Sequence, residues 1–331
     1  MPTIGESNPT LIDVTKRLDP GGKIDMIAEL LNETNEILDD MTMIEGNLAT
    51  GHRTTVRSGL PSATWRKLNY GVQPTKSRTV QIQDSCGMLE NYAEVDKDLA
   101  DLNGNTAQFR LSEDRAFLEG MNLDMASTLF YGDTDTNPER FMGLAPRFSD
   151  KSAENGDNII LADSGASGSD QTSIWIVVWG PNTVHGIYPK GKMGGLQMND
   201  KGQVTLEDAT GGKYEGYRTH YKWDLGLTVR DWRYVVRIAN VDTSALVKDA
   251  ATGADLVDAI VQGLEILPNM NMGRPVIYCN RTVKSFLRRQ ISNKNNVNLT
   301  LDNAGGKHIL SFDGVPVKRC DALLNTEAVV S

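Results

Sequence analysis

A reversal of charge in the first third of the chain constrains its folding more than any other feature. Between Gly46 and Gln83 there is no Asp or Glu, whereas the segments on either side are acidic. The basic residues in this stretch are Arg53, Arg57, Arg66, Lys67, Lys76 and Arg78. A run of one sign has few partners within itself, so we expect it to contact acidic surface, on this chain or on another.

The segment before the basic stretch has the pattern of an amphipathic helix. From Ile24 to Met41 the apolar residues recur along one helical face, and acidic residues lie on the opposite face. The acidic candidates for contacts with another subunit are Asp25, Glu29, Glu33, Glu36 and Asp40. A solvated helix face is the simpler interpretation of the same residues. The first twenty residues show no clear periodicity, which indicates an extended arm.

The basic stretch has the composition of a β-hairpin. HRTTVR and ATWRKL are predicted to be strands around a Gly-Pro turn, and RTVQIQ is predicted to be a later strand. Such a hairpin has few large apolar side chains and cannot form a stable core alone. Because ordering each residue costs about 1–2 kcal/mol, we expect the arm and the hairpin to become ordered against neighbouring copies.

The rest of the chain predicts an α+β fold without a regular βαβ repeat. A long helix is predicted from Thr106 to Tyr131, ended by Gly132. Glycine- and serine-rich connections are predicted at 163–170 and 191–203. The other predicted elements are strands at SIWIVVW, YEGYRTHYKW, WRYVVRI and PVIYC, helices near 255–267 and after Asn280, and a hairpin of HILSF and VPVKRC around Asp313-Gly314.

Composition limits the classes of function. The net charge of -9 disfavours uniform attraction to nucleic acid, and no apolar run approaches the ~20 residues of a membrane span. The first residues, MPTIGESNPT, lack the pattern of a signal peptide, which predicts a protein that stays in the cytoplasm where it is made. Three widely spaced cysteines, Cys86, Cys279 and Cys320, are typical of reduced thiols.

The sequence carries no clear pattern for catalysis or for binding a metal or cofactor. GIYPKGKM lacks the Ser or Thr of a phosphate-binding loop. DTDTN at 133–137 has Pro138 where a calcium loop has glycine, and is predicted to be the loop that ends the long helix. His52, His185, His220 and His308 show no paired metal spacing. We therefore predict no catalytic residue, cofactor or metal, and a hydrolase assembled by folding is a distant alternative.

A nucleic-acid-binding protein is the main alternative from another class. RTVKSFLRRQ, from Arg281 to Gln290, predicts an amphipathic helix with a basic face. Together with the basic hairpin, this helix could bind phosphate groups. A short basic cluster is weak evidence by itself, and a solvated or subunit-contacting face is favoured over it.

Long blocks of this sequence resemble the major capsid proteins of short-tailed, double-stranded-DNA bacteriophages. The blocks are NGNTAQFRLSEDRAFLEGMNLDMASTLFYGD, GPNTVHGIYPKG, YRTHYKWDLGLTVRDWRYVVRIANVD and SFDGVPVKRCDALLNTEA. The resemblance covers nearly the whole chain and implies the Hong Kong 97-type capsid fold. In that fold an N-terminal arm and a two-stranded E-loop reach over neighbouring subunits. A long spine helix crosses a peripheral (P) domain, and axial (A) domains meet at the centre of each capsomer.

Carried onto this sequence, the resemblance implies six regions. These are 1–44, the arm and acidic helix; 45–90, the basic E-loop; 91–140, the spine-helix region; 141–244, P-domain strands with an insertion; 245–310, the A domain; and 311–331, a hairpin returning to the P domain. The implied function is that of a structural, non-enzymatic virion subunit. It would form hexamers and pentamers of an icosahedral head around the genome, without sequence-specific DNA binding or membrane contact. The implied partners are a scaffolding protein, the portal and a cementing protein.

Overall fold

The computed structural model describes most of the chain after residue 34. The described residues are 35–102, 106–163, 168–208, 210–244, 246, 256–290, 299–304 and 307–330. The predicted arm and most of the predicted acidic helix, including Asp25, Glu29 and Glu33, lie outside these residues.

Helices and strands follow one another along the chain without a regular alternation. The first part contains α1 (Ile37–Asp40), β1 (Met43–Glu45), β2 (Gly51–Gly59), β3 (Arg78–Asp96), α2 (Lys97–Asp101), α3 (Thr106–Tyr131) and α4 (Leu144–Arg147). The middle contains β4 (Ile159–Leu161), β5 (Gln171–Trp179), β6 (Val184–Tyr188), β7 (Leu196–Glu207), β8 (Lys213–Val229) and β9 (Val235–Asp242). The last part contains α5 (Leu256–Ile266), β10 (Arg274–Cys279), α6 (Arg281–Gln290), β11 (Leu299–Ala304), β12 (Lys307–Phe312) and β13 (Val315–Arg319).

The strands join in one mixed sheet with β5 near its middle. The main path of paired strands is β11-β12-β13-β10-β5-β6-β8-β3-β2. β5 is antiparallel to β10 and β9, and β8 is antiparallel to β3, β6 and β7. Every residue of β5 is buried, as expected for a strand that is covered on both faces. The fold is therefore α+β, as the sequence predicts.

Two hydrophobic cores lie on opposite faces of β5, because successive side chains of a strand point to opposite sides. Trp175 and Trp179 belong to one core, together with Phe130 of α3. Ile176 belongs to the other, together with Ile260 of α5 and further residues of α6. The sheet thus carries α3 on one side and α5 and α6 on the other.

The predicted long helix is confirmed with the same bounds, Thr106–Tyr131. Its end is fixed by Gly132, whose N–H donates to the carbonyl of Thr128 at 2.8 Å. A side chain at Gly132 would collide with the carbonyl oxygen of Phe141, so glycine allows the following loop to pack closely here. Among the described residues, no helix has the length and apolar content needed to cross a membrane.

Several other predictions are confirmed. SIWIVVW lies in β5, YEGYRTHYKW in β8 and PVIYC in β10. Asn280 caps α6, because its Oδ1 accepts the N–H of Val283 at 2.8 Å. The C-terminal hairpin turns at Asp313 and Gly314, whose φ angles are 47° and 78°. Both residues have the left-handed conformation that a tight hairpin turn favours.

Two predictions are wrong. ATWRKL is not a strand, because residues 60–77 contain none and no neighbouring strand pairs with them. The predicted glycine-rich connection at 191–203 is half strand, since β7 begins at Leu196. β7 pairs along almost its whole length with β8, so an available strand edge overrides the weak local preference for a loop.

Candidate subunit-contact site

The long strand β3 is divided between two environments. Its residues Cys86–Asp96 pair with β8, whereas Arg78–Ser85 pair with β2. We call residues 51–85 the finger, because they form a two-stranded hairpin that continues beyond the rest of the sheet. At about 3.4 Å per residue, its paired part is roughly 25 Å long.

Residues 60–77, which we call the finger tip, are all exposed. Five large apolar residues are exposed in the tip: Leu60, Trp65, Leu68, Tyr70 and Val72. The side chain of Trp65 is 101% exposed, so it makes no packing contact with its own chain. Two hydrogen bonds shape the tip, from the N–H of Tyr70 to the carbonyl of Lys67 at 3.3 Å and from Thr75 to Ser62 at 2.9 Å.

The finger carries all six predicted basic residues. Arg53 donates to Gln83 across the hairpin at 2.8 Å. Arg66, Lys67, Lys76 and Arg78 are exposed and form no ion pair with any residue that the structure describes. Arg57 lies in β2, opposite Thr79. The finger therefore carries exposed positive charge that its own described residues leave uncompensated.

Glu36 and Asp40, the two predicted acidic partners that lie among the described residues, do not meet the finger within the chain. The buried carboxylate of Asp40 accepts hydrogen bonds from Lys318 at 2.7 Å and from Tyr278 at 2.9 Å, and Arg274 lies 2.8 Å away. Glu36 accepts the N–H of Arg319 at 3.3 Å. Both acids anchor the segment around α1 to the C-terminal hairpin of the same chain, so their charges are already paired within the subunit.

Two histidines meet where the finger leaves the sheet. The rings of His52 on β2 and His185 on β6 lie 5.8 Å apart, edge to face. His185 is buried. Burial, together with the nearby His52 and Arg230, lowers the pKa of His185 to about 4. Beside them, Asp84 accepts a hydrogen bond from Arg147 at 2.8 Å.

The basic helix α6 is partly neutralised by its surroundings. Arg281 forms an ion pair with Asp321 at 2.9 Å, and the guanidinium of Arg289 lies 5.3 Å from the centre of the Phe286 ring. Among the described residues, no three His, Cys, Asp or Glu side chains are placed to hold a metal ion. Burial raises the pKa of the Cys279 and Cys320 thiols to about 12, so both are protonated near neutral pH.

Comparison with known proteins identifies the family. Residues 19–331 match the family described as major capsid protein GP7. The chain belongs to this family. A chain from the cryo-electron-microscopy structure of bacteriophage epsilon15 is 39% identical, with a TM-score of 0.74, and the match covers 100% of this chain and 99% of that one. No curated protein matches the chain.

A second structural match supports the fold alone. The capsid of bacteriophage JBD30 is 11% identical, with a TM-score of 0.51, and the match covers 89% of this chain and 93% of that one. The capsid protein therefore has the Hong Kong 97-type fold that its sequence blocks imply, and its role is structural. Nothing supports the alternative of a nucleic-acid-binding protein.

The exposed apolar residues of the finger tip were not predicted from the sequence. A strand at ATWRKL would half-bury Trp65 against a neighbouring strand. Pro61 and Pro74 bracket this segment, and proline is unfavourable within paired strands. Those two prolines were the available signal that the residues between them form an exposed loop.

Proposed function

We propose that this capsid protein builds the phage head from hexamers and pentamers in which each finger lies across an adjacent subunit. The finger would thus act as the E-loop, and α3 as the spine helix. The observation that carries this proposal is the fully exposed Trp65 in a tip with four further exposed apolar residues. Large exposed apolar groups of this kind mark surfaces that bind another protein.

The apolar gain available to the tip is large. Burying a tryptophan side chain removes roughly 150–250 Å² from water, which at about 25 cal/mol per Å² corresponds to roughly 4–6 kcal/mol before ordering costs. The tip has no such gain within its own subunit. A neighbouring subunit would supply the missing surface, so ordering of the contact and assembly would be coupled.

The charge of the chain supports contact between copies. The finger has basic residues without acidic partners among the described residues, whereas the whole chain has a net charge of -9. The surface outside the finger is therefore acidic, and opposite charges favour encounter and select the orientation of approach. A contact between two different patches of identical subunits is head-to-tail, and such contacts close into rings when the rotation from one subunit to the next is a whole fraction of a turn.

The remaining parts of the proposal concern the assembled particle. The shell would enclose double-stranded DNA without sequence-specific binding, since its net negative charge disfavours tight adhesion to phosphates. It would assemble in the host cytoplasm with a scaffolding protein, the portal and a cementing protein. The chain would act as a structural subunit without catalysing a reaction.

The test uses the full-length chain with Trp65 and Leu68 both replaced by alanine. The isolated subunit should keep its unfolding midpoint, because neither side chain is packed. Particle yield, measured by sedimentation and negative-stain microscopy, should fall at least tenfold. Trp65→Phe, which keeps an aromatic anchor, is the matched control and should assemble. Particles from the double-alanine variant at wild-type yield would contradict the proposal.

A further inference from the structure

The C-terminal segment 320–330, which we call the strap, is fastened along its length by main-chain hydrogen bonds. These run from Ala322 N–H to Asn35 Oδ1 at 3.1 Å, Leu324 N–H to Tyr131 Oη at 3.0 Å, Glu327 N–H to the Gln171 carbonyl at 2.9 Å and Val330 N–H to Asn240 Oδ1 at 2.9 Å. Because its main chain is held at four points, the strap is a fixed part of the subunit surface.

A buried ion pair fixes the middle of the strap. Glu327 accepts hydrogen bonds from Arg237 at 2.7 Å and from the hydroxyls of Tyr131 and Ser173. Arg237 also donates to the carbonyl of Phe148 at 2.8 Å. Burial and the neighbouring Glu327 raise the pKa of Tyr131, so its hydroxyl remains a donor. Every partner of this buried carboxylate is thus provided by the fold.

An open pocket of about 700 Å³ lies between the strap and the loop that follows α3. We call it the strap pocket. Its walls include the exposed apolar residues Leu324 and Val329, and its lining also contains Met142 and Pro146. Since the strap is already fixed, the pocket exists before any partner binds.

The uncompensated charge of the strap pocket is negative. Arg237 and Glu327 neutralise each other, which leaves Asp133 and Asp135 as its other charged lining residues. The Asp133 carboxylate accepts the N–H of Asp135 at 3.0 Å and the hydroxyl of Thr136 at 2.8 Å. These hydrogen bonds lower the pKa of Asp133, so it is ionised near neutral pH.

We propose that the strap pocket receives the finger tip of a second copy, with Trp65 against Leu324 and Val329, and with Arg66 and Lys67 beside Asp133 and Asp135. This inference rests on the proposed function and names the acceptor surface. The tip combines an apolar anchor with positive charge, and the pocket combines apolar walls with negative charge. Tryptophan and arginine are the residues that most often dominate protein interfaces, as anchors in preformed pockets.

The size and exposure of the two surfaces agree with this assignment. A pocket of about 700 Å³ is in the range that holds a molecule larger than one indole ring. Trp65 is 101% exposed in its own subunit, so its own tip does not fill the pocket. The occupant is therefore assigned to another copy. A preformed acceptor also lowers the ordering cost of the contact.

Charge reversal tests the pairing. Lys67→Glu and Asp135→Lys should each raise the protein concentration needed for assembly at least tenfold, and the double variant should recover most of that loss. Asp157→Lys is the matched control, because Asp157 is an exposed acid that does not line the pocket. Combined with Lys67→Glu, it should give no recovery. Recovery by the Asp157 control but not by Asp135→Lys would overturn the assignment.

Cross-linking separates a failure of this inference from a failure of the proposed function. A photoreactive phenylalanine analogue placed at position 65, or at position 68 if the first prevents assembly, is activated in assembled particles. Cross-links to residues 142–149 or 324–330 of another copy are expected. Cross-links elsewhere on another copy would overturn the pocket and leave the finger contact in place. Particles without cross-links between copies would overturn both.

Discussion

The two halves of β3 share one extended backbone, but they differ in how much of the same chain packs against them. In the half at Cys86–Asp96, Ala93 and Val95 are buried on one face, while Glu94 on the other face accepts a hydrogen bond from Arg218 at 2.6 Å. In the half at Arg78–Ser85, residues 78–81 are exposed in succession, so neither face is covered. A two-stranded hairpin is marginally stable alone. The half that pairs with β8 obtains its packing from its own chain, whereas the outer part of the finger, beyond the buried Thr54 and Asp84, does not.

Two tryptophans give the largest expected difference between the finger and the rest of the subunit. Trp175 of β5 is 0% exposed and packs between Phe130 and Phe148, whereas Trp65 is 101% exposed. Trp175→Ala should lower the free energy of unfolding by about 3–5 kcal/mol. Trp65→Ala should change it by less than about 0.5 kcal/mol. Urea unfolding of the unassembled subunit measures both, and similar losses would remove the distinction.

This difference also explains how much the sequence could reveal. The long helix α3, the strand SIWIVVW and the turn at Asp313-Gly314 follow from local pattern, and all three were predicted. The environment of Trp65 was not predicted, although Pro61 and Pro74 on either side of it disfavour a paired strand. The pairing of Arg237 with Glu327 joins residues 90 positions apart, and no local pattern encodes such a contact. The strap pocket was missed for the same reason.

Acid should weaken the junction between the finger and the sheet. His185, on β6, is buried beside His52 on β2, Asp84 on β3 and Arg230 after β8. Its pKa is lowered from 6.5 to about 4, so between these values the unfolded chain binds more protons than the folded one. Stability from this group is fully present above about pH 6.5 and is lost as the pH falls towards 4. The expected loss is roughly 2–3 kcal/mol.

The measurement is the pH dependence of unfolding for the unassembled subunit and for His185→Gln, which cannot titrate. The variant should lose less stability than the wild type between pH 6.5 and 4. His220→Gln is the control. His220 lies on β8, away from the junction, and its ring stacks on that of Tyr92 with 4.5 Å between the ring centres. Amide exchange at His52 and Asp84 should accelerate in acid. Parallel pH curves for the wild type and His185→Gln would rule out this role.

The smallest expected effect compares one charge from each half of β3. Glu90 accepts hydrogen bonds from Lys222 and His220, and these lower its pKa. Glu90→Ala should cost about 0.2–1 kcal/mol at neutral pH, as is usual for exposed ion pairs. Because the folded pKa is depressed, that contribution is present above the unfolded pKa of Glu and disappears as the pH falls below it.

Arg78→Ala, in the finger, is the counterpart of Glu90→Ala. It should leave the unfolding of the isolated subunit unchanged, since Arg78 has no ion-pair partner among the described residues. It should instead raise the concentration required for assembly and weaken the salt dependence of assembly, because a charge between subunits is screened by salt. If Arg78→Ala destabilised the isolated subunit as much as Glu90→Ala, the finger would draw stabilising interactions from its own chain. The basic residues of the finger would then stabilise their own subunit and not a contact with a neighbouring one.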